Sequence, residues 1–495
     1  MKKYILIFLI AFLIQAIVGC DDLEYFPSDQ LTSKTVQSSP ELLGIATIGT
    51  YSRLRKSEYC RLRHFLQELP GDDLAWCKQS GNHLCNTYGY QRIVHSSAAS
   101  QFWKQAYHGI YSANKTIEII DGLENPSEKV LNLKGENLFI RALMHFDLVK
   151  IFARPYPQNP ESNLGIMIRD NTDQYALPPR STVKETFDFI VNDLIQSAEL
   201  MKESKCSIFA SKEVSWALLS RVYLYMENYS KAIEYADKVI NSGRYELLET
   251  DQLAKYYNIL PENNKETIFA IKLQASENMG KYSIGSLYHE DGGWGEIFVS
   301  KPFRQLIYKN PNDERIKFID PKFIRDSEGK KIPSTTEEVG YSVEQRSGYS
   351  KYFNLKYTLE GGIKMLSSPL VIRFAEMYLN KAEAFAKSGK NGEAIEMVNL
   401  IRKRAGLFGD QLFTLDNLKG YQSVLDVVLD ERRLELAYEG HRAYDVYRNN
   451  KPMDRSFTHG EAWAGPQLIQ PTSELIVHFI PEVEITLNPN LVQNP

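Results

Sequence analysis

Two distant segments of the chain share one spacing of aromatic and small residues, and this spacing constrains the fold more than any other feature. The first set is Trp216, Ser220, Tyr223 and Ala232, at offsets 0, 4, 7 and 16, and the second is Tyr378, Ala382, Phe385 and Ala394, at the same offsets. These offsets match the aromatic, small, aromatic and alanine positions of the tetratricopeptide helix-turn-helix. Small residues let the two helix axes approach, while the aromatic rings fill the space beside them. The spacing predicts two such helix pairs.

Apolar residues recur every three or four positions in further segments, which predicts amphipathic helices. The predicted helices span 40–55, 99–122, 128–153, 182–203, 211–227, 229–242, 370–388, 391–405 and 424–449. Segments 56–98 and 244–365 lack this period, and the second contains strand-like runs such as "TIFAIKL". The predicted fold class is mainly α, with about four tetratricopeptide-like helix pairs and an irregular, loop-rich ligand-binding half that contains short strands.

The N-terminal residues predict export and lipidation. Lys2 and Lys3 precede an apolar run that is too short to span a bilayer but typical of a secretory signal. The run ends in Ile17-Val18-Gly19-Cys20, which resembles the bacterial lipobox, where cleavage precedes an acylated cysteine. We therefore predict a signal peptide at 1–19, a lipid anchor on Cys20 and a tether at 20–38.

The rest of the mature chain is predicted to form one domain, residues 39–495. Its helical scaffold covers about 39–55, 99–243 and 370–449, and its loop-rich binding part about 56–98, 244–369 and 450–495.

Composition and cysteine spacing bear on whether the protein binds nucleic acid, a metal or a cofactor. The chain has 62 acidic against 58 basic residues, which argues against a nucleic-acid partner, because such proteins usually present a basic surface. Cys77 and Cys85 are close enough for a short disulfide loop or can remain free thiols, and the sequence does not decide between them. His83 lies between them, but no fourth ligand stands at zinc-like spacing, so we expect neither a metal nor a cofactor.

Catalytic motifs are missing from the sequence. It contains no G-x-S-x-G, H-E-x-x-H, P-loop or G-x-G-x-x-G pattern. A glycosidase carboxylate pair is defined by separation in space, so acidic residues alone identify no such pair. The charged segment "DERRLELAYEGHRAYDVYR" predicts a paired helix face, with Arg432–Glu435, Arg442–Asp445 and Asp445–Arg448 as neighbours. We interpret the role of this segment as structural rather than catalytic.

The five tryptophans fall into two groups. Trp103 and Trp216 lie on periodic helices and are predicted to be core, whereas Trp76, Trp294 and Trp463 lie in irregular stretches with polar or flexible neighbours. A flat indole can cover the apolar face of a sugar ring while polar groups bind the hydroxyls at its rim. Trp294 in "YHEDGGWGEIF" is the strongest candidate, because the glycines beside it permit a sharp loop and close approach of a ligand.

Alternatives remain for each of the candidate aromatic residues. Trp294 could instead contact a protein partner or fold back onto its own domain. Trp76 is a similar candidate, and Trp463 could equally pack near the C-terminus. The weaker candidates are Tyr88, Tyr90, Tyr282 and Tyr288.

Several stretches together resemble the SusD/RagB family of outer-membrane lipoproteins. They are "RALMHFDLVKIFA", "RSTVKETFDFIVNDL", "ALLSRVYLYMENYSKAIEYADKVI", "VIRFAEMYLNKAEAFA" with "VNLIRKRAG", "LDERRLELAYEGHRAYDVYR" and the closing "IP…NPNLVQNP". The resemblance covers essentially the whole mature chain, except for 56–98 and 275–345, the loops expected to choose the ligand. Asp73 also resembles an acidic position in the family's early loop.

The resemblance implies a protein that is not an enzyme, carries no cofactor and captures oligosaccharides at the cell surface. Its implied partner is a SusC-like TonB-dependent transporter in the outer membrane, to which the N-terminal lipid would hold it. The acidic residues after Cys20 resemble the run associated with surface export. The alternatives are a peptide-uptake subunit on the same scaffold, a surface structural protein and a glycosidase.

Overall fold

A computed structural model of the protein describes Val36 and residues 39–77, 83–203 and 205–495. The predicted signal peptide, Cys20 and all of the predicted 20–38 tether except Val36 lie outside the described residues. Within the described residues, no helix is both long enough and apolar enough to cross a membrane.

The chain is mainly helical, and its strands are short and paired two by two. The α-helices are α1 (Pro40–Leu54), α2 (Ser57–Glu68), α3 (Cys85–Tyr88), α4 (Ser97–Asp121), α5 (Glu128–Phe152), α6 (Val183–Leu200), α7 (Lys212–Tyr225), α8 (Tyr229–Ile240), α9 (Thr250–Leu253), α10 (Ile284–Tyr288), α11 (Lys301–Ile307), α12 (Phe374–Lys387), α13 (Asn391–Arg404), α14 (Val424–Leu436), α15 (Arg442–Arg448) and α16 (Glu482–Leu487). The strands are β1 (Leu74–Trp76), β2 (Thr267–Ala270), β3 (Ile297–Val299), β4 (Ile319–Pro321), β5 (Gln345–Arg346), β6 (Tyr349–Ser350), β7 (Tyr352–Asn354), β8 (Leu359–Glu360), β9 (Ile363–Lys364), β10 (Leu370–Arg373), β11 (Met453–Asp454) and β12 (Leu468–Ile469). The mainly α fold class and the strand in "TIFAIKL" are therefore confirmed.

The two predicted repeat units form helix pairs and also touch each other. Helices α7 and α8 make the first pair, α12 and α13 make the second, and α8 packs against α12. Ser220, Ala232, Ala382 and Ala394 are fully buried, as close packing of helix axes requires. Asn380 joins the two units by donating a hydrogen bond from its Nδ2 to Ser220 Oγ, at 3.2 Å. The repeat thus continues in space although about 130 residues separate its halves in sequence.

The other long helices extend this stack in chain order. Helix α4 packs on α5, α5 on α6, and α6 on α7. Their starts follow from local capping: Thr182 and Glu185 form a capping box at α6, and Ser127 and Ser211 cap α5 and α7. Trp103 of α4 is buried in the core, as predicted, and Trp216 is partly buried against it.

The prediction of one continuous helix over 424–449 is wrong, because the chain breaks between α14 and α15. Tyr438 has a φ of 64° and Gly440 a φ of 77°, both in the left-handed region. Distant residues hold the break: Gly440 N donates to Glu68 Oε2 at 2.7 Å, and Tyr438 Oη donates to the Asp73 carbonyl at 2.8 Å. Segment 56–98 was predicted to be irregular throughout, yet it contains helix α2.

The break also changes the predicted ion pairs of this segment. Arg432 pairs with Asp445 across the break, at 2.8 Å, and Arg442 pairs with Asp72, at 2.6 Å. Two of the predicted neighbours, Arg432–Glu435 and Arg442–Asp445, share a helix but do not pair with each other. The predicted pair of Asp445 with Arg448 is present at 2.6 Å. The segment therefore ties together elements that are distant in sequence.

The carboxylate of Glu435 shows how strongly these charges are compensated. It binds Arg373, Arg404 and Arg315 within the core. Burial alone would raise the pKa of Glu435, but the three guanidinium groups hold it well below its ordinary value.

Candidate functional site

A tight loop around α10 carries the most exposed tryptophan of the described chain. The backbone N–H of Trp294 donates to the Ser286 carbonyl at 2.6 Å, and that of Gly295 donates to the same oxygen at 3.0 Å. Gly292 and Gly295 have φ values of 86° and 53°, which favour glycine. A Cβ on Gly293 would lie 2.5 Å from the Ser286 carbonyl oxygen, so the loop also needs glycine for close approach. The local sequence thus fixes the loop in one shape.

The Trp294 side chain lies half exposed in a fixed orientation. It has 49% relative exposure, and its Nε1 donates to the Lys281 carbonyl at 3.0 Å. The Lys281 ammonium lies 4.9 Å from the centre of the indole ring, a cation–π contact. Tyr282, the next residue along, is 72% exposed. One cation, Lys281, thus contacts the exposed ring of Trp294 and directly precedes a second exposed aromatic residue, Tyr282.

The acidic residues around this loop are engaged by basic partners. The ion pairs are Glu290–Lys322 at 3.0 Å, Asp291–Lys364 at 2.8 Å and Glu277–Arg55 at 3.5 Å. The hydrogen bond from Lys364 lowers the pKa of Asp291. Burial raises the pKa of Glu290, but the hydrogen bond from Lys322 and the charge of Lys351 outweigh it and leave the pKa lowered. All three carboxylates are therefore bound by basic side chains of the protein.

Arg61 of α2 adds a second cation near Tyr282. Its guanidinium lies 5.0 Å from the Phe65 ring centre, and its buried Nε has no hydrogen-bond partner among the described residues. Arg61 lies between Arg55 and His64 in the sequence, and these two residues contact the loop segment at Glu277 (3.5 Å) and Tyr288 (2.7 Å), on either side of Tyr282. Burial lowers the pKa of Arg61. The Arg61 charge in turn contributes to a lowered pKa of the exposed His83.

Trp76, the second predicted platform, is fully buried, so the expectation of an exposed ring there is wrong. It lies in β1, paired with Ile297 of β3, and its Nε1 donates to Glu296 Oε2 at 3.1 Å. The polar neighbours that suggested exposure, such as Asp72, form ion pairs with arginines far along the chain.

Two family models match separate parts of the sequence. The model described as "SusD family" matches residues 330–495, and the model described as "Starch-binding associating with outer membrane" matches residues 23–224. SusD-like protein P2 of Formosa agariphila is 26% identical over 529 aligned residues, which cover 100% of this chain and 99% of that protein. The starch-binding protein SusD of Bacteroides thetaiotaomicron is 23% identical over 89% of each protein.

The chain belongs to the SusD/RagB family. A solved SusD superfamily structure from Bacteroides thetaiotaomicron has a TM-score of 0.81 and 26% identity to it, over 92% of this chain and 100% of that one. A second, from Bacteroides vulgatus, has a TM-score of 0.78 and 25% identity over 92% and 99%. The resemblance in the sequence is therefore confirmed.

Four other predicted site residues of this SusD/RagB protein are buried, which contradicts the expectation of ligand-facing side chains. Asp73 binds Arg433 at 2.6 Å. Tyr88 is fully buried, with an aromatic contact to Trp463 at 5.8 Å.

The remaining two tyrosines bond to other core side chains. The hydroxyl of Tyr90 lies 2.6 Å from that of Tyr447, and burial raises the Tyr90 pKa to about 12. Tyr288 Oη lies 2.7 Å from His64 Nε2. These contacts join residues more than 200 positions apart, so sequence spacing gave no sign of them. Only Trp294 and Tyr282 of the predicted ligand residues are open to solvent.

Cys77 is a buried free thiol, so the short disulfide loop, one of the two alternatives left open for Cys77 and Cys85, is not formed. Burial raises the pKa of Cys77 to about 11, which disfavours the reactive thiolate. Within the described part of the chain, no cluster of three His, Cys, Asp or Glu side chains could hold a metal.

A polar cavity of about 240 Å³ lies between α14 and α15, away from Trp294. Its lining contains the ion pairs Arg433–Asp73, Arg432–Asp445 and Lys451–Asp426. It also contains Arg442, which is paired with Asp72. Because these charges compensate one another, the cavity has no surplus charge for a ligand. The loop around Trp294 is the better candidate.

Sequence reasoning missed Lys281 and Arg61 as members of the site. Lys281 was within reach of prediction, because it directly precedes Tyr282. Arg61 was not, because only the position of α2 brings it near the loop.

Proposed function

We propose that this protein is a non-catalytic lipoprotein of the outer membrane that binds oligosaccharides at the cell surface and passes them to a SusC-like TonB-dependent transporter. Residues 1–19 would be the signal peptide, Cys20 the lipid anchor and 39–495 a single binding domain. The observation that carries the proposal is the half-exposed indole of Trp294, held in place before any ligand arrives.

A fixed aromatic surface suits sugar binding for physical reasons. The indole face can cover the C–H face of a sugar ring, and Tyr282 offers a second ring beside it. Hydrogen bonds from Trp294 to Lys281 and Ser286 already restrict the indole, so little side-chain entropy is lost on binding. The family model described as starch-binding and the starch-binding relative from Bacteroides thetaiotaomicron support a carbohydrate ligand.

The state of the nearby carboxylates supports binding without bond cleavage. A glycosidase needs a carboxylic acid that stays protonated until it donates to the leaving oxygen, which requires a raised pKa. Glu290 and Asp291 instead have lowered pKa values, because lysines bind them. Neither is suited to act as a general acid.

Calorimetric titration of the full chain in detergent with panels of glycans and peptides tests the proposal. We expect heat of binding from at least one glycan class and an affinity loss of about tenfold or more for Trp294→Ala, since truncated aromatic anchors typically cost about 2 kcal/mol. Tyr175→Ala is the matched control, because Tyr175 is 83% exposed but lies outside the loop.

The peptide-uptake alternative would be favoured if only peptides bound. Glycan binding that Trp294→Ala leaves unchanged would refute the role of the loop. Cleavage of a bound glycan by the purified chain would refute the non-catalytic assignment. Loss of the protein from the outer-membrane fraction in Cys20→Ser would test the lipid anchor.

A further inference from the structure

The exposed aromatic pair lies beside two cations that have no carboxylate partner. Lys281 contacts the Trp294 ring and Arg61 contacts the Phe65 ring, but neither forms an ion pair with any carboxylate of the described residues. Arginine and lysine side chains in contact with aromatic rings keep their full charge, and such a charge gains most from an anion. Among the described residues, the positive charge of this site therefore has no neutralising carboxylate.

The acids of the same neighbourhood do not offset this charge. Glu290, Asp291 and Glu277 are bound by other lysines and an arginine, as described above. Glu296 is buried and accepts the hydrogen bond of Trp76. Positive charge is thus in local surplus although the whole chain has a net charge of −4.

The two cations flank the aromatic rings on different elements. Lys281 lies on the loop, against the Trp294 ring. Arg61 lies on α2, between Arg55 and His64, which contact the loop segment at Glu277 and Tyr288 on either side of Tyr282. The buried Nε–H of Arg61 lacks an acceptor, and an unpaired buried donor is costly unless a ligand supplies one. A guanidinium fork also matches the two oxygens of a carboxylate or sulfate group.

We propose that the ligand is an acidic oligosaccharide, in which a carboxylate or sulfate group binds Lys281 and Arg61 while a sugar ring packs on Trp294. This inference rests on the proposed function and specifies its substrate class. The net negative charge of the chain repels such a ligand at long range, so the preference comes from short-range contact with the two cations. Added salt weakens these contacts.

The test compares three oligosaccharides of matched length by calorimetry on the full chain in detergent. They are a neutral starch-derived oligosaccharide, an oligogalacturonate and an oligosaccharide of a sulfated galactan. We expect at least one acidic oligosaccharide to bind about tenfold or more tightly than the neutral one, with a preference that shrinks at high salt. The two acidic arms distinguish carboxylate from sulfate as the recognised group.

The double variant Arg61→Gln and Lys281→Gln is expected to remove the preference while retaining the fold, as checked by circular dichroism. Lys212→Gln is the matched control, because its ammonium lies 5.5 Å from the ring of Trp216 on the helical stack. Arg61→Lys keeps the charge but loses the planar fork, so it should retain only part of the preference.

The outcomes separate this inference from the function on which it rests. Equal or tighter binding of the neutral oligosaccharide would overturn the acidic-ligand inference and leave the glycan-binding function intact. A preference that persists in the double variant would also overturn it. Absence of binding in all three arms, and in a wider glycan panel, would overturn both.

Discussion

Cations of the helical core and cations of the Trp294 loop differ in what surrounds them. Arg373, buried in the core, binds Glu266, Glu435 and Glu439. Lys281 and Arg61 bind no described carboxylate and contact aromatic rings instead. A buried charge must be compensated by the protein, because its removal from water is costly. A partly solvated charge is stabilised by water, so it can remain unpaired until a ligand binds. The comparison therefore distinguishes cations that stabilise the fold from cations that can bind a ligand.

The largest expected effect concerns a buried cation that the protein compensates. Arg373→Met leaves three carboxylates of the core without their shared cation, so we expect the free energy of unfolding to fall by about 3–5 kcal/mol. Urea denaturation followed by circular dichroism measures it. Lys231→Met is the control, because its pair with Glu234 is exposed. A similar loss in both variants would contradict the distinction.

The next effect concerns an uncompensated acid in the core. Burial, with a further contribution from Asp73, raises the pKa of Glu68 to about 8, and its Oε1 lacks a hydrogen-bond partner. The unfolded chain ionises this group near pH 4.5, so its stabilising contribution is full below that pH and is lost as pH rises to about 8.

Glu68→Gln removes this titration but keeps an acceptor for the Gly440 N–H. We expect the variant to be more stable than the natural protein by about 3 kcal/mol at pH 7 and to lose that advantage near pH 4.5. Urea denaturation across this range measures the difference. An advantage that does not grow with pH would show that Glu68 is ionised in the fold.

A backbone change in the Trp294 loop tests whether this loop serves ligand binding rather than stability. In Gly293→Ala the new Cβ would clash with carbonyl oxygens of His289 and Ser286, so the loop and Trp294 must move. We expect glycan affinity to fall about tenfold while unfolding changes by about 1 kcal/mol, since the loop lies outside the helical core. Calorimetry and urea denaturation measure the two effects, and Gly44→Ala, in open space on α1, is the control. A larger loss of stability than of affinity would assign the loop to the core.

The smallest effect is expected at the exposed ion pair beside the loop. Lys364 and Asp291 pair at 2.8 Å, with side-chain exposures of 63% and 64%. Lys364→Met should change the free energy of unfolding by less than about 0.5 kcal/mol, because solvent already screens both charges. A loss comparable to that of Arg373→Met would remove the contrast between the two regions.

The sequence predicted the parts of this molecule that depend on local spacing. The two helix pairs followed from offsets within single segments, and the Trp294 loop followed from the glycines beside it. The strand in "TIFAIKL" is local in the same sense.

Distant contacts decided the features that the sequence did not predict. Trp76 is buried because β3 and Glu296 cover it from 220 positions away. The helix break at Tyr438 is held by Asp73 and Glu68, which are more than 360 positions away. Arg61 joined the candidate site only through the placement of α2. In each case a neighbour in space, absent from the neighbouring sequence, changed the outcome.

The contact between α8 and α12 has a consequence for the long segment between them. Residues 241–373 connect the end of α8 to the start of α12. Because these two helices pack together, they hold the two ends of this segment close to each other. The entropic cost of closing a flexible loop rises only with the logarithm of its length, by about 0.6 kcal/mol for each doubling. Lengthening an exposed loop of this segment is therefore cheap for folding, and one helical frame can carry many different ligand-binding surfaces.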